Sequence, residues 1–110
     1  MEARRVSKSR VTTDAEWLDN PHAGEMLMSE FMEPLSLDAR SLAQAIKVPE
    51  DRVRAIIEGD SAVDAALDLR LARYFGMSEG FFLRLQNSYE IVEAKRALNG
   101  ELDRIVPRAA

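Results

Sequence analysis

The apolar residues of this 110-residue chain recur at three- and four-residue spacing, which is the period of an amphipathic helix. The last and longest series comprises Phe82, Leu85, Tyr89 and Val92. Four shorter series precede it, at about residues 20–33, 39–46, 49–58 and 64–75. Because no segment alternates with the two-residue period of a strand, the pattern predicts an all-α chain with five helices.

Residues that favour helix ends separate these series. The predicted starts are Asn20-Pro21-His22, Asp38, Asp64 and Ser78, and the predicted ends are Gly59, Gly76 and Asn99-Gly100. Pro34 disfavours helical geometry in the residue before it, so we expect the first helix to stop at Glu33. His22, the single histidine, is interpreted as a helix-start residue in preference to a metal ligand or general base.

Residues 38–59 predict two short helices joined by a tight turn. Pro49 is placed at the first position of the second helix, where its missing N–H costs nothing. The small Ala43 lets the two helices cross closely, and Val48, Val53 and Ile56 fill the angle between them. This is the helix-turn-helix arrangement, whose second helix is normally presented to the major groove of DNA.

The length suits one domain with a core of its own. The chain has no cysteine, which excludes disulfides, zinc clusters and thiol nucleophiles. No apolar run approaches the roughly 18 residues needed to span a bilayer, so we expect a cytoplasmic protein with no membrane association. No constellation of residues predicts a catalytic site, a metal site or a cofactor, and we do not expect an enzyme. Glu90 and Glu93 are interpreted as part of a solvated helix face and not as a catalytic acid pair.

The net charge of −4 is unevenly distributed. Residues 1–10 carry four basic side chains against one acid, whereas residues 11–37 carry six acids and no Lys or Arg. A protein that binds nucleic acid usually shows a basic surface, and here only the first residues supply one. We therefore divide the chain into a flexible basic arm at 1–13, a helix-turn-helix domain at 14–98 and a C-terminal tail at 99–110.

Several separately spaced motifs point to a known family. The strongest are Leu69-Arg70-Leu71-Ala72-Arg73-Tyr74-Phe75-Gly76 and Phe81-Phe82-Leu83-Arg84-Leu85-Gln86 with Tyr89. Earlier ones are Gly24-Glu25-Met26-Leu27, Glu30-Phe31, Glu33-Pro34-Leu35, Leu42-Ala43, Val48-Pro49, Arg52-Val53 and Ile56-Ile57 with Gly59. Over about residues 20–98 the chain resembles the HigA/VapI-type antitoxins, a branch of the phage-repressor-like (XRE) helix-turn-helix family.

The resemblance implies a compact five-helix bundle of the lambda-repressor-like DNA-binding type with a long C-terminal helix. It also implies a homodimer that binds a palindromic operator, represses its own operon and neutralises a cognate HigB-like toxin, a ribosome-associated endoribonuclease. Three positions depart from the family. Lys47 stands where a turn glycine is usual, the second motif helix opens with Pro49-Glu50-Asp51, and the loop after Gly59 is acidic.

The predicted DNA-contacting residues are Arg40, Lys47, Glu50, Asp51, Arg52, Arg54 and Ser61. Two interpretations of Glu50 and Asp51 stay open: they accept a hydrogen bond from cytosine, or they only favour the dipole of their helix. The predicted dimer interface comprises Leu83, Tyr89, Val92 and Leu98. The alternative function is a helical interaction module that binds no DNA and engages a basic partner through its acidic N-terminal segment.

Overall fold

The computed structural model describes residues 20–109, which fold into five helices and contain no strand. The predicted arm at 1–13 and the first residues of the predicted domain, 14–19, lie outside the described residues. Helix α1 joins an α-helical turn, Ala23–Met26, to a π-helical stretch, Leu27–Met32, and a 3-10 turn, Glu33–Leu35. The remaining helices are α2 (Ala39–Ile46), α3 (Glu50–Glu58), α4 (Ala65–Phe75) and α5 (Phe81–Leu98), followed by a 3-10 turn at Glu101–Arg104.

His22 is the N-cap of helix α1, and the prediction that this histidine starts a helix is confirmed. Its Nδ1 accepts hydrogen bonds from the N–H groups of Gly24 and Glu25 at 3.0 and 3.2 Å, and the Glu25 carboxylate accepts from the His22 N–H at 2.9 Å. This reciprocal pair is a capping box. Asn20 does not cap the helix; its Nδ2 donates to the Tyr89 carbonyl in α5 at 3.1 Å.

The expectation that α1 stops at Glu33 was wrong. Glu33 keeps helical angles, φ −59° and ψ −46°, and the chain continues to Leu35. The preceding residues form a wider π-helical turn in which the Glu33 N–H bonds to the carbonyl of Met28, five residues back. A wider turn gives the Pro34 ring more room. Because proline has no N–H group, no acceptor is needed for it there.

The core lies between α1–α4 and the first turns of α5. Its largest fully buried side chains are Leu27, Met32, Leu42, Val53, Ile56, Leu71 and Phe82. Phe31 packs against Phe75, Phe81 and Phe82 with ring centroids 5.1 to 5.8 Å apart. Phe75 of α4 and Phe81 and Phe82 of α5 therefore contribute to the core, whereas Tyr74 is exposed.

Helix α5 is not capped by Ser78, as the sequence predicted, but by Asp68 of α4. The Asp68 side chain is 1% exposed and accepts hydrogen bonds from the N–H groups of Gly80, Phe82 and Leu83 at 2.6, 2.7 and 3.0 Å. A carboxylate is a stronger acceptor than a hydroxyl and is favoured by the positive end of the helix dipole. Asp68 therefore caps α5 and joins it to α4.

No helix within residues 20–109 is both long and apolar enough to cross a membrane.

Candidate nucleic-acid interface

Helices α2 and α3 form the predicted helix-turn-helix, and their turn has the left-handed geometry that usually calls for glycine. Lys47 has φ +65° and ψ +47°. A lysine in this conformation costs about 1 kcal/mol more than glycine. Arg70 of α4 supports the turn, since its Nη1 donates to the carbonyls of Ile46 and Lys47 at 2.7 and 3.3 Å. These bonds satisfy carbonyls that the end of α2 would otherwise leave without a partner.

Helix α3 turns one face into the core and the other to solvent. Val53 and Ile56 are buried, while Asp51 and Arg54 are exposed and Glu50 is partly exposed. Pro49 is the N-cap, one residue before the position that the sequence predicted, and Gly59 ends the helix at φ +83° as predicted. The outward face thus presents the charged residues of α3 together.

A close contact between backbones fixes the angle of α3. At buried Gly24 of α1, an added Cβ would lie 1.7 Å from the carbonyl oxygen of Ile56. Only glycine lets two backbones approach so closely. Ile56 lies in the C-terminal half of α3, so the contact sets how close that end of α3 lies to α1.

Arg54 is held by the acid one turn before it in α3. Its Nε donates to Glu50 Oε2 at 2.7 Å, and its Nη2 contacts the same oxygen. The side chains are 57% and 36% exposed, so the pair lies at the surface of α3. The hydrogen bond and the charge of Glu50 both raise the pKa of Arg54 above its ordinary value.

Arg52 faces the other way and pairs with Asp64, the residue that caps α4. Arg52 Nη2 lies 2.7 Å from Asp64 Oδ2, and the Leu67 N–H donates to Oδ1 at 2.9 Å. The bond from Leu67, followed by the contact with Arg52, lowers the pKa of Asp64 below its ordinary value. Because the pKa of Asp64 is lower in the folded than in the unfolded state, the ionised cap stabilises the fold at neutral pH. Its contribution is lost as the pH falls through the folded pKa.

The remaining predicted contact residues are Arg40 and Ser61. Arg40 is exposed on the first turn of α2, near Asp38, whose carboxylate accepts from the Ser41 N–H at 2.8 Å and caps the helix as predicted. Ser61 is half-buried in the loop after α3, where its N–H bonds to the Ala55 carbonyl at 3.2 Å. The structure therefore brings the predicted residues to α2, α3 and their adjoining loops.

The predicted dimer residues all lie on α5 and are all half-buried: Leu83, Tyr89, Val92 and Leu98. Leu83 packs against the core, and the Tyr89 ring meets His22 edge to face at 6.0 Å. These two residues thus also have contacts within the chain. Their role between subunits stays a prediction.

The sequence reasoning missed Asp68 and Arg70. Asp68 could have been recognised from the sequence, because it lies on the apolar face of α4 with Leu67, Leu71 and Ala72. An acid on such a face is buried only where it has partners. Arg70 had no such signal, since it looks in the sequence like any exposed helical arginine.

Three similarities to known proteins bear on this site. The chain is 35% identical over 75 residues to virulence-associated protein I of Dichelobacter nodosus, covering 68% of this chain and 69% of the relative. It is 32% identical to the solved structure of an antidote protein of a HigA family from Coxiella burnetii, with a TM-score of 0.75 over 82% of this chain and 98% of that one. The chain belongs to the HigA/VapI helix-turn-helix family.

A third similarity concerns a protein solved with DNA. A Pseudomonas aeruginosa protein in complex with its 18-base-pair operator DNA is 31% identical, with a TM-score of 0.79 over 84% of this chain and 98% of that one. Relatives of this HigA/VapI family member include an HTH-type transcriptional regulator of Haemophilus influenzae and the antitoxin HigA-1 of Vibrio cholerae. No protein-family model matches the sequence.

Proposed function

We propose that the protein is a sequence-specific DNA-binding regulator that represses its own operon and serves as the antitoxin of a HigBA-type pair. The observation that carries the proposal is the exposed, charged face of α3, held outward by the contact between Gly24 and Ile56. The similarity to a protein solved on its operator DNA supports it. The role is one of binding and not of catalysis, and a DNA target places it in the cytoplasm.

The contacts divide into two groups by chemistry. Exposed Arg40 and Lys47 are suited to phosphates, which position a protein without reading sequence. Glu50, Asp51 and Arg54 on α3 are suited to base edges in the major groove. Each acid near a phosphate opposes the counterion release that drives non-specific binding. We therefore expect weak binding to arbitrary DNA and a clear preference for the operator.

Fluorescence anisotropy with the chain's own upstream DNA and a scrambled duplex, across a salt series, tests this function. We expect the upstream DNA to bind at least about a thousandfold more tightly, which is the lower end for specific complexes. Arg40→Ala should weaken binding to both duplexes and reduce the salt slope by about 1. Arg73→Ala removes the same charge from an exposed position of α4 and serves as the control. Equal binding to the two duplexes would favour the alternative interaction module.

We also propose a homodimer that contacts its partner through α5, at Leu83, Tyr89, Val92 and Leu98. A two-fold dimer requires a palindromic operator whose half-sites are spaced by about 10 base pairs or a multiple. Val92→Arg should shift the protein to monomer in sedimentation velocity. Ala66→Arg adds the same charge to an exposed position of α4, outside the predicted interface, and should leave the dimer intact.

Toxin neutralisation is tested separately. We expect the product of the adjoining reading frame to be a small basic protein that arrests growth when expressed alone. Co-expression of this chain should restore growth and the two proteins should purify as a complex. Growth arrest that persists despite co-expression would leave the protein a regulator without a toxin partner.

A further inference from the structure

We propose that Arg54 reads a guanine in each operator half-site and that Glu50 is the positioning residue that orients its guanidinium. The inference rests on the DNA-binding function proposed above and gives Glu50 a third role beside the two interpretations left open. The structure motivates it through the pairing of these side chains on the outward face of α3.

The geometry of the pair restricts the guanidinium. Arg54 Nε donates to Glu50 Oε2 at 2.7 Å and Nη2 contacts the same atom, so one edge of the planar group faces the carboxylate. A guanidinium has five N–H donors in a fixed fork. With this edge engaged, the two hydrogens on Nη1 and the second hydrogen on Nη2 remain at the outer end of the side chain.

That outer end matches one base. In the major groove guanine presents two neighbouring acceptors, N7 and O6, which a guanidinium contacts bidentately. Adenine offers an acceptor beside a donor, so it cannot receive both bonds. Arg54 can therefore contact guanine through Nη1 and Nη2 without releasing Glu50.

The second arginine of α3 shows why the assignment falls on Arg54. Arg52 donates through Nη2 to Asp64 at the start of α4, and its Nε is buried. Its guanidinium is thus directed along the protein surface and toward α4. Arg54, by contrast, is paired within its own helix and is the more exposed of the two, at 57% against 37%.

Glu50 also affects selectivity through its charge. A carboxylate in the groove weakens binding to every sequence, because it opposes the attraction between cations and phosphates. A guanine contact by the arginine that Glu50 holds offsets this penalty at the correct site only. An acid at the start of a recognition helix is then a means of raising the ratio of specific to non-specific binding.

The test is selection of tight binders from a library in which each half-site position is randomised, followed by affinity measurements on single-base variants. Wild type should prefer guanine at one position of each half-site by roughly tenfold to a hundredfold. Arg54→Ala should abolish that preference and leave the other positions unchanged. Arg54→Lys should also lose most of it, because an ammonium keeps the charge but lacks the fork. Arg73→Ala is the matched control.

Glu50→Gln distinguishes positioning from direct reading. We expect it to keep guanine as the preferred base, to reduce the preference severalfold and to strengthen binding to scrambled DNA. Loss of a cytosine preference at a separate position would show that Glu50 itself reads a base, and would overturn the proposal. An unchanged guanine preference in Arg54→Ala would also overturn it. Wild-type protein without any sequence preference would instead refute the proposed function, so the two failures are distinguishable.

Discussion

The helix-turn-helix at residues 38–59 and the C-terminal segment at residues 87–106 differ in how far they bury their apolar side chains. In the first, every Leu, Ile and Val is buried or half-buried. In the second, no residue is buried, and the exposed large apolar side chains are Ile91, Leu102, Ile105 and Val106. Both segments are mainly helical, so the difference lies in what each packs against.

The helix-turn-helix is oriented by contacts within the chain: Gly24 against Ile56, Arg70 against the turn, and Asp64 against Arg52. The C-terminal segment is tied to the rest by Asn20, which donates to the Tyr89 carbonyl, while Asp68 holds only the start of α5, before the segment begins. The comparison teaches that DNA reading depends on rigidity supplied inside one subunit. The apolar surface of the C-terminal segment remains available to another chain, in keeping with the proposed dimer.

The largest effect is expected where α1 meets α3. Gly24→Ala places a Cβ 1.7 Å from the Ile56 carbonyl oxygen, so the helices must move apart. We expect a loss of about 3 kcal/mol in the free energy of unfolding, measured by urea denaturation.

Gly76→Ala is the matched control for this substitution. Gly76, unlike the helical Gly24, has a positive φ, +72°, and an added Cβ there meets nothing within 4 Å. The control should cost only about 1 kcal/mol, from the backbone conformation alone. If Gly24→Ala were no more destabilising than the control, the close contact would not orient α3.

The next effect concerns the junction between α4 and α5. Asp68→Asn keeps the shape of the side chain but replaces one acceptor oxygen with an NH2 group. That NH2 group then faces a backbone N–H that donates to Asp68 in the wild type. We expect a loss of about 2 kcal/mol in stability and faster amide hydrogen exchange in the first turn of α5. Asp103→Asn, in the exposed 3-10 turn, should change neither quantity.

Much of this architecture could be predicted from the sequence because it is local. The confirmed predictions depend on residues close together in the chain: the helix period, the caps Asp38 and Asp64, and the ends at Gly59 and Gly76. The motif resemblance supplied the family. The charged face of α3 followed from the same period, since Val53 and Ile56 had to face the core.

The errors arise from contacts between distant residues. Ser78 satisfied a local capping rule, but Asp68 lay closer to the α5 amides once α4 and α5 packed. Pro34 satisfied another local rule, which the π-helical widening of α1 made inapplicable. The pairing of Arg52 with Asp64 crosses twelve residues, and no periodicity reveals which acid an arginine will meet.

A smaller effect, of opposite sign, is expected in the helix-turn-helix turn. Lys47→Gly should raise stability by about 1 kcal/mol because glycine adopts the left-handed conformation without strain. It should also weaken binding to all DNA sequences to a similar degree, since it removes a cation. Lys47→Ala separates the two effects: it should weaken DNA binding equally and leave stability unchanged. A gain in stability from Lys47→Ala would show that charge, and not backbone strain, is the cost.

The smallest effect tests the C-terminal segment itself. The triple substitution Leu102→Ser, Ile105→Ser and Val106→Ser alters side chains that are 49%, 67% and 84% exposed. In protein dilute enough to be monomeric, we expect a change within about 0.5 kcal/mol in the free energy of unfolding. Ile46→Ser in the helix-turn-helix, where the side chain is 4% exposed, should cost about 3 kcal/mol. Self-association is a second measurement on the same variant. If these residues contribute to the dimer, the triple variant will weaken self-association and reduce the rise of the unfolding temperature with protein concentration.

A large loss of stability in the dilute monomer would instead mean that the segment packs within its own subunit, and the contrast between the two regions would disappear.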